Sequence, residues 1–507
     1  MRSTSMNSVL RFGHLAQGAP LSAFAMMYNQ VLSFGAGILI ARVIGAADYG
    51  VTNLARNILD ILAIASPLGL DLALQRHFGA ASGRRSARLA QLQVFRSMAF
   101  VVGIAPALLA AFGFGAVIEQ SIFQYPEFAN VLLVALLALP FVTDLALLGG
   151  AYRGVLQPAP SILVSNILQP TCRALVIAAL FAFGWRLWAV IVGTSVSFAI
   201  SWLALAVHAR KDLVPIDLVH RRDWTDIRSV FRYSPSLAAS LILFTWIRTA
   251  DLLFLGHFGT AADVGQYGVA IMLAQLIGLL GLALGQTLGA RIAECHRNNN
   301  VSGMESLLAA NVRWTSLACA PIFAAIVFWG DRIDLALGPS FAVAAPVITI
   351  VATRALLHGL LANSSYALSM TGSHLYEAAI LLIGAVVSVV VCLVLIPSYG
   401  EIGAALAGLI AFSTVNLARC AMISSMFGIR HVNLSVAKPV VWALMVAWLT
   451  SLCFKPIDYR TLSSTVCEVV IFLTLFVVSG WFLLTTEQDR EAIFAVFRPA
   501  RDIERLR

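Results

Sequence analysis

Fourteen runs of about 20 mostly apolar residues follow one another along this 507-residue chain. They lie near residues 19–44, 50–75, 95–118, 129–151, 160–183, 186–208, 234–258, 265–290, 308–330, 341–367, 375–397, 401–427, 437–454 and 463–485. Hydrocarbon offers no partner to a backbone N–H or C=O, so runs of this length must close their hydrogen bonds within helices. The chain is therefore expected to be an all-α polytopic membrane protein. Charged residues make up 12% of it, against about 25% in soluble domains. That density cannot coat a water-facing globule, which excludes a soluble enzyme, a disordered chain and a disulfide scaffold.

Placement of the basic residues gives the topology. With the N-terminus in the cytoplasm, 24 of the 34 Lys and Arg fall on cytoplasmic segments. Only Arg186, Arg332, Lys455 and Arg460 fall on the opposite side. This is the positive-inside bias, and a missed span would invert it downstream. Both termini are expected in the cytoplasm. The net charge of +9 thus reflects topology, and no nucleic-acid partner is implied. HRRDWTDIRSVFR and the tail REAIFAVFRPARDIERLR have the pattern of basic amphipathic helices at the inner interface. The N-terminal segment lacks the apolar core and cleavage site of a signal peptide. The seven cysteines have no paired spacing, and no metal site or cofactor is expected.

An internal repeat is visible. IARVIGAADYGV, ending at Val51, parallels FLGHFGTAADVGQYGV, ending at Val269, with Gly45 matched to Gly259 and Gly50 to Gly268 across four inserted residues. Gly184–Ser197 parallels Gly400–Ser413. Both matches are six spans apart, so the repeats share one membrane orientation. They predict two six-helix lobes related by a pseudo-two-fold along the membrane normal, plus a C-terminal helix pair. The expected divisions are 1–232 (spans 1–6 and a basic loop), 233–428 (spans 7–12) and 429–507 (spans 13–14 and the tail).

Charges in hydrocarbon cost at least about 2.5–3.5 kcal/mol each, so they face partners, water or substrate. The second span carries Asn53, Arg56, Asn57 and Asp60 on one helical face. The first carries Ser22, Asn29 and Ser33, and the seventh Ser236, Ser240, Thr245, Arg248, Thr249 and Asp251. The spacing leaves two readings open: local Arg56–Asp60 and Arg248–Asp251 pairs, or a hydrated wall. Arg173, Arg354 and Arg419 have no acidic residue one turn away and need a distant carboxylate, water or an anion. His358 lies one turn from Arg354, and Asp144 is free to pair with one of these arginines or to hold a coupling cation. No Walker, HExxH, GxSxG or DxD motif is present, so an enzyme is not expected.

FGAGILIARVIGAADYGVTNLA, FRYSPSLAASL and LIPSYGEIGAALAG resemble the signatures of Wzx-type oligosaccharide flippases, the polysaccharide-transporter family of the MOP exporter superfamily. The resemblance implies a MATE-like V-shaped bundle whose first, second, seventh and eighth spans line a cationic cavity. It implies transfer of undecaprenyl-diphosphate-linked oligosaccharide from the cytoplasmic to the periplasmic leaflet of a bacterial inner membrane, by alternating access. Polysaccharide polymerase and chain-length proteins would then be pathway partners. Arg56 and Arg248 would meet the diphosphate, and Arg42 would sit near the periplasmic mouth. The remaining candidates for substrate contact are Asn53, Asn57, Asp60, Asp251, Arg173, Arg354, His358 and Arg419. A lipid II flippase and a cation-coupled small-molecule exporter are the alternatives. One departure stands out: His257 and Phe258 occupy the places of Val43 and Ile44, so no second-half arginine matches Arg42.

Overall fold

The structure, a computed structural model, describes residues 3–79, 85–212, 224–285, 288–429, 436–454 and 461–485. Each expected span is helical. Among the described residues, ten helices are long and apolar enough to cross a membrane, or eleven when the bent pair Ala345–Leu361 and Ser364–Met370 counts as one. The stretch Leu375–Phe427 holds two spans, folded at Gly400 (φ +53). The remaining two are the second span, Ala46–Ala65 continued by Leu70–Gly79, and the eighth, Ala261–Gly285 continued by Leu288–Arg297. The second span misses an apolar threshold because Asp48, Arg56 and Asp60 sit in one short helix. The tail 486–507 lies outside the described residues. Of the other basic segment, the backbone from Trp224 continues unbroken into the seventh span, Trp224–Phe258.

Prolines set most of the breaks. Pro67 ends the first half of span two. In the fifth span a π-helical stretch, Val164–Leu168, precedes Pro170, widening the helix where the proline ring would strike the carbonyl one turn back. Arg173 follows almost one turn later on the relaxed helix Gln169–Ala182. Contacts between the two halves of the chain run mainly from the second span to the seventh and eighth, with the first span touching the eighth. The last two helices, Ala437–Phe454 and Leu462–Leu483, pack on Val301–Trp329. Buried Glu468 ties them there, accepting from Trp329 Nε1 at 2.6 Å and Arg332 at 3.0 Å.

The second and eighth spans cross where their backbones touch. A Cβ on Gly50 would overlap the Ala261 carbonyl, and one on Gly265 would overlap the Ala46 carbonyl. Next along the seam, Asn53 faces Gly268. These contacts are reciprocal, as a two-fold axis between the helices requires. They correct the repeat register: Gly50 corresponds to Gly265 rather than Gly268, and Thr260 corresponds to Gly45. Both positions open their helix, Ala46–Ala65 and Ala261–Gly285. The AAD turn carries the alignment, while the later Tyr-Gly match is a coincidence of small residues. In this register His257 stands at the place of Arg42 rather than of Val43.

The crossing lies at the end of the bundle that the basic-residue bias assigns to the outside, and further bonds join the halves there. Tyr125 donates to the carbonyls of Gly256 (2.7 Å) and Gly259 (3.0 Å). Burial, with the Asp263 charge adding to it, pushes its phenol up to about 12, so it stays a donor at any physiological pH. His257 Nδ1 bonds the Ile122 carbonyl at 2.7 Å. We expect Gly265→Ala to force the spans apart at a cost of about 1–3 kcal/mol. In a cysteine-free background, Met272→Cys beneath the seam should then label faster with an impermeant thiol reagent. Unchanged labelling would show that the crossing is not the outer seal.

Candidate functional site

Among the described residues, five arginines inside or flanking the helices pair with carboxylates far away in sequence, the loosest being Arg153 with Asp71 at 3.9 Å. Arg354 pairs with Asp251 of the seventh span, and Tyr267 of the eighth donates to the same carboxylate at 2.6 Å. Asp251 is 1% exposed and Arg354 8%. Gly408 leaves room for the pair, and Arg354 lies over the Phe412 ring. Arg419 pairs with Glu377 and reaches Asn416 Oδ1 at 3.3 Å. Arg96 makes a two-pronged bond to Asp144, which also accepts from Trp202 Nε1 at 2.7 Å. Arg96 thus belongs to the helix bundle rather than to the cytoplasmic flank, and Asp144 pairs with it rather than with Arg173, Arg354 or Arg419. Arg332 is held by Glu468.

His358 is enclosed by Phe244 and Phe412, its Nδ1 buried without a hydrogen-bond partner. Together with Arg354–Asp251–Tyr267 and Arg419–Glu377 it forms a polar string inside the second half. Tyr267, Asp251, Arg354, Arg419 and Glu377 are buried, and His358 partly so.

Arg56, Arg248 and Arg42 differ. All three are exposed, and none makes an ion pair among the described residues. Neither local pair that the spacing allowed, Arg56–Asp60 or Arg248–Asp251, is formed. The seventh-span polar set therefore divides: Thr245, Thr249 and Asp251 are buried, while Arg248 is exposed. On the second span, Asn57 donates to the Asn53 carbonyl at 2.8 Å and Asp60 is half-buried.

A pocket of ≈ 70 Å³ opens within the first half. Ser33, Asn53, Arg56, Arg173 and Thr194 supply its polar lining. Arg173 is 7% exposed; its Nη2 donates to Ser33 Oγ at 2.9 Å and its Nε has no partner. Ser33 in turn donates to Asn29 at 3.1 Å, so the first-span stripe turns toward the fifth span. Tyr49 roofs the pocket, its hydroxyl toward Met272 Sδ at 3.8 Å. Among the described residues no cluster could hold a metal ion.

The sequence model of the polysaccharide biosynthesis protein family matches residues 15–288, more than half of the chain. The chain belongs to that family. The MatE family model matches residues 236–394. A probable low-salt glycan biosynthesis flippase, Agl15 of Haloferax volcanii, is 24% identical over 486 residues, covering 92% of this chain and 94% of that protein. Two solved structures share the fold at 13% identity. The lipid II flippase MurJ in an inward closed conformation has a TM-score of 0.70, over 91% of this chain and 98% of the other. An inward-facing multidrug MATE transporter of the MOP superfamily has 0.62, over 80% and 98%. The expected MATE-like fold and MOP-superfamily flippase resemblance hold.

Removing one member of a buried pair leaves a bare charge, at about 3–5 kcal/mol. Asp251→Asn and Arg354→Gln should each lower the thermal unfolding temperature of the purified protein by several degrees. The double variant Asp251→Leu/Arg354→Met should recover most of the loss. Additive losses would show that the two side chains are not coupled.

Proposed function

We propose that this family member flips undecaprenyl-diphosphate-linked oligosaccharide units from the cytoplasmic to the periplasmic leaflet of a bacterial inner membrane. In this reading both termini are cytoplasmic and residues 1–232 and 233–428 act as lobes, with 429–507 an appended helix pair. The observation that carries it is the contrast among the arginines. Arg56 on the second span and Arg248 on the seventh stay exposed and unpaired, on the two spans that meet between the halves. A guanidinium suits phosphate because its planar fork donates two charge-assisted bonds and keeps its charge when desolvated. Fixed positive charge also repels cationic drugs, which disfavours the drug-exporter alternative. The flippase relative supports the same class of cargo.

The headgroup would enter between the halves while the lipid tail stays in the bilayer. The outer seal around Gly50 and Gly265 keeps the path closed to the far side. Rocking one half against the other about the second, seventh and eighth spans would move the opening across. Proteins that build or lengthen the glycan would act before and after this step.

The test is a deletion strain from which polyprenyl-diphosphate-linked sugars are extracted and assigned to a leaflet. The expected result is accumulation on the cytoplasmic side, relieved by the intact gene. Arg56→Ala and Arg248→Ala should fail to relieve it while the protein still inserts and accumulates. Lys should restore less than Arg at either position, since it cannot make the two-pronged contact. Normal lipid-linked sugars in the deletion strain, with hypersensitivity to small toxic compounds, would favour an exporter instead.

A further inference from the structure

The second and eighth spans are each built as two helices, Ala46–Ala65 with Leu70–Gly79 and Ala261–Gly285 with Leu288–Arg297. The two pieces of each span belong to different cores. In the outer piece of span two, Leu54 and Ala55 pack into a core shared with Leu252, Leu255 and Val264 of the second half. In the inner piece, Leu70, Ala73 and Leu74 pack with Leu92, Leu147 and Leu205, all from the first half. Span eight repeats the division. Its Tyr267 and Ile277 lie in the shared core, while Leu288 and Ile292 pack with Leu308 and Leu368 of their own half. Closer ties hold the inner piece of span two to span four. A Cβ on Gly150 would overlap the Asp71 carbonyl, and Arg153 Nε donates to Gln75 at 3.1 Å. On its other side this piece borders the seventh span, but no buried core joins the two among the described residues.

Between the two pieces of span two the chain turns at Pro67–Leu68–Gly69. Pro67 has no N–H for the helical ladder, and Leu68 and Gly69 both take left-handed φ values, +52 and +72. That region suits glycine but strains leucine. Strained backbone of this kind persists where the surrounding structure imposes it, and it collects at switch points. Leu68 is itself exposed, so little packing resists movement there. A stiff rod anchored in two cores could not follow both when they rotate apart; a joint between the cores lets it. We propose that spans two and eight are jointed: each inner piece swings with its own half while the outer pieces stay crossed at Gly50 and Gly265. The inner mouth then opens by parting Leu70–Gly79 from the seventh span, without breaking the outer seal. Opening to the inside and opening to the outside become separate steps, whereas rocking two stiff halves would couple them. The movement follows from packing alone and is independent of the cargo.

The test uses the full chain, in a cysteine-free background and in phosphatidylcholine nanodiscs, with nitroxide pairs read by double electron–electron resonance. One pair, Ala47→Cys with Ala262→Cys, spans the outer crossing. The other, Leu72→Cys with Glu294→Cys, spans the two inner pieces. The outer pair should give a single narrow distance, and the inner pair a broad or two-peaked distribution spread over several ångströms. Leu68→Gly, which relieves the strain and frees the joint, should at least double the longer inner component and leave the outer distance unchanged. Pro67→Ala/Gly69→Ala favours one continuous helix, and should make any inner widening appear at the outer pair as well. Where that double variant fails to accumulate, Leu68→Gly decides alone. An inner distribution that Leu68→Gly leaves unaltered would overturn the joint. So would outer distances that split in step with the inner ones in the parent chain. These samples hold no cargo, so absence of flipping in cells would sink the flippase reading and leave the joint; inner pieces that do not move would do the reverse.

Discussion

A guanidinium inside a membrane protein must find a carboxylate, water or a ligand, and that requirement organises this bundle. Where carboxylates are within reach, arginines become cross-braces. Arg96–Asp144 joins the third and fourth spans, with Trp202 of the sixth on the same carboxylate. Arg354–Asp251 joins the tenth and seventh, with Tyr267 of the eighth added. Helices in hydrocarbon gain little from apolar association alone, so polar ties and close backbone approach carry more of the specificity than in a soluble core. The close approach is supplied by Gly50 and Gly265, which let the second and eighth spans touch at their backbones.

These two devices have opposite consequences for motion. The ion pairs lie within one half and hold its helices as a block. The crossing lies between halves, where contacts are backbone to backbone and a few hydrogen bonds from Tyr125 and His257. Such contacts can separate without stranding a buried charge. The weak seam therefore lies where the alternating-access movement proposed above would need it, and the strong pairs where a rigid body would need them.

The architecture was legible because its signals are long-range averages. Twenty-residue apolar runs and a loop charge bias survive local error, and every expected span is helical. The candidate site was only partly legible. Spacing along one helix exposed the polar faces of the second and seventh spans, but pairing depends on neighbours that sequence distance hides: 103 residues separate Arg354 from Asp251, and 42 separate Arg419 from Glu377. Glu377 sits in the first turn of its helix, where an acidic residue is unremarkable. Tyr267 lies in a span without a charge beyond its first turn, and nothing along its own helix points to Asp251. The one available signal was arithmetic: an arginine with no local acid implies a remote one, or a ligand.

The repeat makes that arithmetic informative. With the register set by Gly50 and Gly265, the two halves have matching helices but unlike electrostatics. Duplication supplies the same scaffold twice, and a transporter needs the scaffold's symmetry only for its two-way motion. The lipid-linked cargo proposed above is not symmetric: one end would be a charged headgroup and the other a hydrocarbon tail. Each half presents an exposed guanidinium without an ion pair among the described residues, Arg56 on the second span and Arg248 on the seventh, so a charged headgroup between the halves would be met from both sides. The asymmetry lies in the buried arginines: Arg354 and Arg419 are neutralised by carboxylates of the second half, while Arg173 in the first bonds only Ser33 among the described residues. Release of a headgroup held by Arg56 and Arg248 would still require breaking contacts with both halves, which is what separating them at the seam achieves.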